Sequence, residues 1–122
     1  MEIGVVVLVV ASAVIGGFAQ ILMKKGADLI GETTTLELLK TAIPNLALNP
    51  YLILGLLVYA VSTLFYIVAL SRGELSAVFP LISISFIVTA ILSSYFLGEK
   101  LSLMRWAGTI VIVTGVFMVV RS

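Results

Sequence analysis

Residues 51–70 read YLILGLLVYAVSTLFYIVAL, an apolar run without a single charge. At ~1.5 Å rise per residue, about 20 helical residues cross a hydrocarbon core of ~30 Å. Working outward, residues 75–97 read LSAVFPLISISFIVTAILSSYFL, again uncharged. Ile3–Met23 and Trp106–Val120 complete the set, the last lengthened by Leu101, Leu103 and Met104. All seven basic and six acidic residues lie outside these runs. A buried soluble core has no need of four such runs in 122 residues. The pattern predicts an all-α integral membrane protein, a bundle of four transmembrane helices in one domain over residues 1–122. The spans are expected at about 3–23, 51–70, 75–97 and 103–120, in a multi-pass cell-membrane protein.

Composition narrows the function. The chain is 61% hydrophobic with mean hydropathy +1.29, against roughly 45–50% apolar residues in soluble domains. A net charge of +1 argues against a nucleic-acid partner, which needs a basic surface. Without Cys or His, disulfides, thiol chemistry and nearly all zinc and haem ligation are excluded, and no metal or other cofactor is expected. Ala11-Ser12-Ala13 has the look of a signal-peptide cleavage site. Glu2 stands where a basic n-region belongs, so the first run is read as a retained helix.

Lys24 and Lys25 close the first span. The long loop 26–50 contains Thr35–Ile43, where Leu36, Leu39 and Ile43 share a helical face and Pro44 stops the segment. Thr34 or Thr35 is positioned to cap it. This reads as a short amphipathic helix lying in the membrane interface, or as a solvated loop. The links 71–74 and 98–102 are short enough to force antiparallel neighbours. Ser102 is placed to cap the fourth helix, and Arg105 and Trp106 to anchor it. Five basic residues, Lys24, Lys25, Lys40, Lys100 and Arg105, lie on the side of the first and third loops. Arg72 and Arg121 lie opposite. The positive-inside rule then places the odd loops in the cytoplasm and the termini outside.

The spans carry stripes of small and polar residues. In the third, Ser76, Pro80, Ser83, Ile87, Ala90, Ser94 and Gly98 follow helical spacing. Pro80 donates no backbone bond and deprives the Ser76 carbonyl of its usual partner. The stripe reads either as a kinked helix lining a wet cavity or as a small-residue packing seam. In the second span, Gly55, Tyr59, Ser62, Tyr66 and Ala69 share a face, and two phenols at that depth need partners or a solute. In the first, Ser12, Gly16, Ala19 and Gln20 form a matching face, cavity wall or helix contact. In the fourth, Gly108 and Gly115 lie two turns apart on one face with few polar groups, an association surface.

None of the four apolar runs holds Asp, Glu, Lys, Arg or His, the usual marks of proton relays and ion coupling. Nothing resembles a nucleophile–base pair, a metal cluster or a phosphate loop, and no enzyme is expected.

Three motifs bring a family into view: Pro80 in the third helix, Leu97-Gly98-Glu99-Lys100-Leu101-Ser102 at its end, and a last helix with Trp106-Ala107-Gly108-Thr109 and Thr114-Gly115-Val116. Together they resemble the EamA repeat of the drug/metabolite transporter superfamily. Ala19-Gln20-Ile21-Leu22-Met23-Lys24 is similar to that family's first helix. One repeat of four helices is the size of the small multidrug resistance proteins, and this resemblance implies a dimer, often inverted. Those proteins pack through two glycines seven apart, as Gly108 and Gly115 are. They also use a first-helix glutamate for drug/proton exchange, and here Gly16 stands at that place. The run Ala77–Phe86 and the Gln20/Lys24 pair are also similar to four-helix flippase subunits for aminoarabinose-undecaprenyl phosphate.

The expected function is alternating-access transport of a small organic or amphipathic solute, by a homodimer or with a paired half-size subunit, in the lipid bilayer. The expected site is Gly16, Gln20, Tyr59, Ser62, Tyr66, Pro80 and Ser83, with Gly108 and Gly115 at the dimer interface. The alternatives are a subunit flipping a polyprenyl-phosphate-linked sugar, and a non-transporting scaffold or accessory subunit. An apolar pocket without convergent polar groups would mark the scaffold.

Overall fold

The computed structural model describes residues 3–122, apart from the side chain of Ala42. Glu2, which bears on the signal-peptide reading, lies outside the described residues. The described residues are mostly helical, without strands: α1 (Ile3–Ile30), α2 (Thr35–Glu37), α3 (Pro50–Arg72), α4 (Leu75–Leu81), α5 (Ser85–Phe96) and α6 (Leu103–Arg121). Among the described residues, four helices are long and apolar enough to cross a membrane: α1, α3, the run Leu75–Phe96, and α6. Their outward faces are apolar and open, as for Leu57 and Leu64 on α3. Such faces suit hydrocarbon, where each helix satisfies its own backbone.

α1 runs beside α3 over most of its length, and this pair is the frame of the molecule. Small residues set the close approach. A Cβ on Gly26 would stand 2.8 Å from the Leu52 backbone nitrogen, and one on Gly17 2.5 Å from Val88 Cγ1. Neither position has room for a side chain, which is how small residues bring helices together in lipid. Asn49 locks the same end twice. Its Oδ1 accepts from the Leu52 N–H at 3.2 Å, capping α3, and its Nδ2 donates to the Gly26 carbonyl at 3.0 Å. At the other end, Val5, Val9, Ala69, Val78, Leu81 and Val116 form the apolar core beside the α3–α4 link.

α1 outruns the apolar stretch. The lysines at 24 and 25 predict an end there, yet the helix continues to Ile30. Charge ends a membrane span but not a helix. Lys24 pairs with Asp28 one turn on, at 2.9 Å, a spacing that supports an exposed helix. Gly31, with φ +82°, supplies the left-handed residue that stops it. In the following loop Thr34 caps α2 by accepting from the Glu37 N–H at 3.2 Å. The helix then loosens into a π turn over Leu38–Ala42. Leu36, Leu39 and Ile43 are all exposed, as a helix lying on a membrane interface requires.

The third span is broken where Pro80 predicts. α4 passes into a 3₁₀ turn over Ile82–Ile84 before α5 begins. α6 is capped by Ser102, whose Oγ accepts from the Arg105 N–H at 3.1 Å. It rests mainly on α4 and the 3₁₀ turn, and Val116 is its one buried residue. Thr109 and Thr114 bond the carbonyls four residues back, Arg105 and Ile110.

Candidate solute-binding site

Where the first three spans meet, α1, α3 and the broken α4–α5 helix line an open cavity of about 610 Å³. This lies within the ~300–1,000 Å³ usual for small-molecule sites. α1 contributes Ser12, Ala13, Gly16 and Gln20; α3 contributes Tyr59, Ser62, Thr63 and Tyr66. The broken helix adds Phe79, Ile82, Ser85, Phe86 and Thr89. No lining residue carries a charge.

The polar groups divide into two sets. Ser12 and Ser62 are spent on each other. The Ser12 hydroxyl donates to the Ser62 carbonyl and the Ser62 hydroxyl to the Ser12 carbonyl, both at 2.8 Å, with the two oxygens 3.0 Å apart. Both residues are buried. This clamp holds α1 to α3 at mid-span, and a Cβ on Gly16 would sit 3.1 Å from Ser62 Oγ. Thr63 is likewise occupied, donating to the Tyr59 carbonyl at 3.0 Å. Gln20, Tyr59, Tyr66, Ser85 and Thr89 line the same space. These polar side chains converge beside the rings of Phe79 and Phe86, a combination suited to a solute with hydrogen-bonding groups and an apolar or aromatic part.

Of the residues expected from sequence, Gly16, Gln20, Tyr59, Ser62 and Tyr66 line this cavity. Pro80 lies instead in an adjoining groove of about 580 Å³ with Tyr66, Leu70, Leu75, Ser76 and Phe79. Ser83 lines neither. The cavity takes the neighbouring face of the third span: Phe79, Ile82, Phe86 and Thr89 recur at ordinary helical spacing, with Ser85 beside them, next to the stripe of Ser76, Pro80 and Ser83. Ser85, Phe86 and Thr89 are absent from the sequence-derived site, and the Phe79–Ile82–Phe86–Thr89 spacing is the signal that could have found them.

On the far side of α6, Cβ atoms built on Gly108 and Gly115 meet nothing within 4 Å. Among the described residues, nothing packs against these two positions. Another face of α6 borders a groove with Ile87, lined by Trp106, Ile110, Val113 and Phe117 among others.

The EamA-like transporter family pattern matches residues 34–121, well over half of the chain. The chain belongs to the EamA-like transporter family. This family member is a multi-pass membrane protein. It is 40% identical over 68 residues to an uncharacterized transporter encoded in the cobO 3′ region of Sinorhizobium sp., covering 56% of this chain and 48% of that protein. It is 29% identical over 68 residues to the probable 4-amino-4-deoxy-L-arabinose-phosphoundecaprenol flippase subunit ArnE of Pectobacterium atrosepticum, covering 56% and 60%. A third relative, the uncharacterized protein y4nH of Sinorhizobium fredii, is 31% identical over 75 residues, covering 61% and 64%. The chain thus matches less than two thirds of the length of each of these relatives. No solved structure matches it.

Proposed function

We propose that this EamA-like transporter carries a small organic or amphipathic solute through the cavity between α1, α3 and the broken α4–α5 helix. The observation that carries the reading is the convergence of Gln20, Tyr59, Tyr66, Ser85 and Thr89 on one uncharged space of transportable size. A non-transporting scaffold has no use for such a convergence inside a membrane, where every polar group is costly unless partnered. Four helices offer few surfaces for two gates, so a second half-size unit completes the path. The open face of Gly108 and Gly115 supports α6 as its docking surface. A thermal-shift screen of the purified protein in detergent against small organic solutes tests the site. Stabilising solutes should lose their effect in Gln20→Leu and Thr89→Val. Stabilisation indifferent to both substitutions would move the site elsewhere.

A flippase subunit for a lipid-linked sugar is the second reading. The likeness to ArnE and the apolar groove bordering the cavity at Tyr66 and Phe79 favour it.

A further inference from the structure

The cavity and the groove that holds Pro80 share two walls, Tyr66 and Phe79. Their chemistry is opposite. The cavity offers an amide and several hydroxyls; beyond the shared rings, the groove offers Leu70, Leu75 and Pro80, with Ser76 its one small polar member. Phe79, Leu75 and Ser76 are exposed, so the groove is open at the surface of the bundle. Its position along the membrane normal is also fixed. Leu70 and Leu75 flank the short α3–α4 link, whose Gly73 lies against Val5 near the start of α1. Gln20 and Tyr59 lie toward the opposite surface.

We propose that the Tyr66–Phe79 junction is a lateral portal, and that the transported solute is an amphiphile whose head sits in the cavity and whose apolar tail leaves through the groove. The tail enters the leaflet on the side of the α3–α4 link. This rests on the transport reading of the cavity and adds the solute's shape and route. The head is a compact hydrogen-bonding group without negative charge. No basic side chain lines either space, and a phosphate taken there would be desolvated without a counter-charge. An anionic linkage therefore stays outside the cavity.

A tail leaving the bilayer for the groove gains little hydrophobic energy, because lipid is already apolar. Affinity against chain length is then a poor test, and the tail's location is the informative one. The experiment uses the full chain in phospholipid nanodiscs, with methyl glucoside as a head-only probe and decyl glucoside carrying a mid-chain diazirine as the tailed probe. Binding is corrected against empty nanodiscs. Photolabelling is expected at Leu70, Leu75 or Phe79. Ser76→Phe, which fills the groove, should weaken the tailed probe about tenfold and leave the head-only probe unchanged. Gln20→Leu should weaken both. Labels spread over the outward face of α3, or a Ser76→Phe variant that binds the tailed probe normally, would overturn the portal while the Gln20 dependence keeps the cavity. Binding of both probes indifferent to Gln20→Leu would overturn the cavity itself, and the portal with it. Melting temperature of each variant confirms that a folded protein is compared.

Discussion

Ser12 and Ser62 exchange hydrogen bonds, each hydroxyl donating at 2.8 Å to the backbone carbonyl of the other's helix. Two buried hydroxyls satisfy two carbonyls and leave no polar atom unpaired, which joins α1 to α3 without charge. The pair sits on the cavity wall yet spends its protons on structure. Ser62 thus serves the site by holding the two helices that carry Gln20 and Tyr59 in place.

The clamp should therefore act as a unit. Ser12→Ala and Ser62→Ala should each destabilise the protein by ~0.6–1.5 kcal/mol, the range for hydrogen bonds in membrane and soluble proteins. The double substitution should cost less than the sum, because each single change already breaks part of the shared pair. Unfolding of the four variants in mixed micelles measures the coupling; strict additivity would show two independent serines.

The glycines should separate into two classes. Gly26→Ala forces a methyl to within 2.8 Å of the Leu52 backbone, and should destabilise by ~1–3 kcal/mol as overpacking does. Gly108→Ala and Gly115→Ala meet open space and should stay within about 0.5 kcal/mol of the parent. Thermal unfolding in detergent reads both. Equal losses at all three would mean that α6 is packed in a way the isolated chain does not display.

Bulk on α6 should nonetheless matter between copies. Gly108→Leu together with Gly115→Leu should weaken self-association, measured by sedimentation or crosslinking in detergent, while each copy stays folded. A double variant that associates like the parent would remove this face from the interface.

Transport should depend little on an imposed pH gradient, since no acidic side chain lines the cavity and carboxylates are the usual proton carriers inside membranes. Gly16→Glu should loosen the clamp, because its Cβ would lie 3.1 Å from the Ser62 hydroxyl and Ser62 would have to give by a few tenths of an ångström. Solute flux in vesicles with and without a gradient checks the first statement, and thermal unfolding of the variant the second; strong gradient dependence of the parent, or a variant as stable as the parent, would contradict them.

The four helices were legible because charge and apolarity separate so cleanly along the chain. The end of α1 was not, since Lys24 and Asp28 mark the membrane surface while supporting the same helix beyond it. The cavity faces of α1 and α3 were legible because both helices are regular, so constant spacing carries Gly16 to Gln20 and Tyr59 to Tyr66. The third span offers two faces to the same reasoning. The small-residue stripe singles out Pro80 and Ser83, whereas the cavity is lined by the neighbouring face, with Phe79, Ile82, Phe86 and Thr89, and by Ser85. Helical spacing fits both faces, so periodicity alone does not choose between them.

Tyr66 tests the central claim most directly, because it walls both the cavity and the groove. Tyr66→Phe keeps the ring and removes one hydroxyl, and should weaken solute binding by ~0.5–1.5 kcal/mol with an unchanged melting temperature. Tyr66→Ala removes the stacking surface as well and should weaken binding further. Affinity and melting temperature measured on the same two variants decide the matter. Lost affinity in a folded Tyr66→Phe protein is the predicted result. A Tyr66→Ala protein that melts earlier yet binds solute as tightly as the parent would contradict the account, making Tyr66 a packing residue and the cavity something other than the transport site.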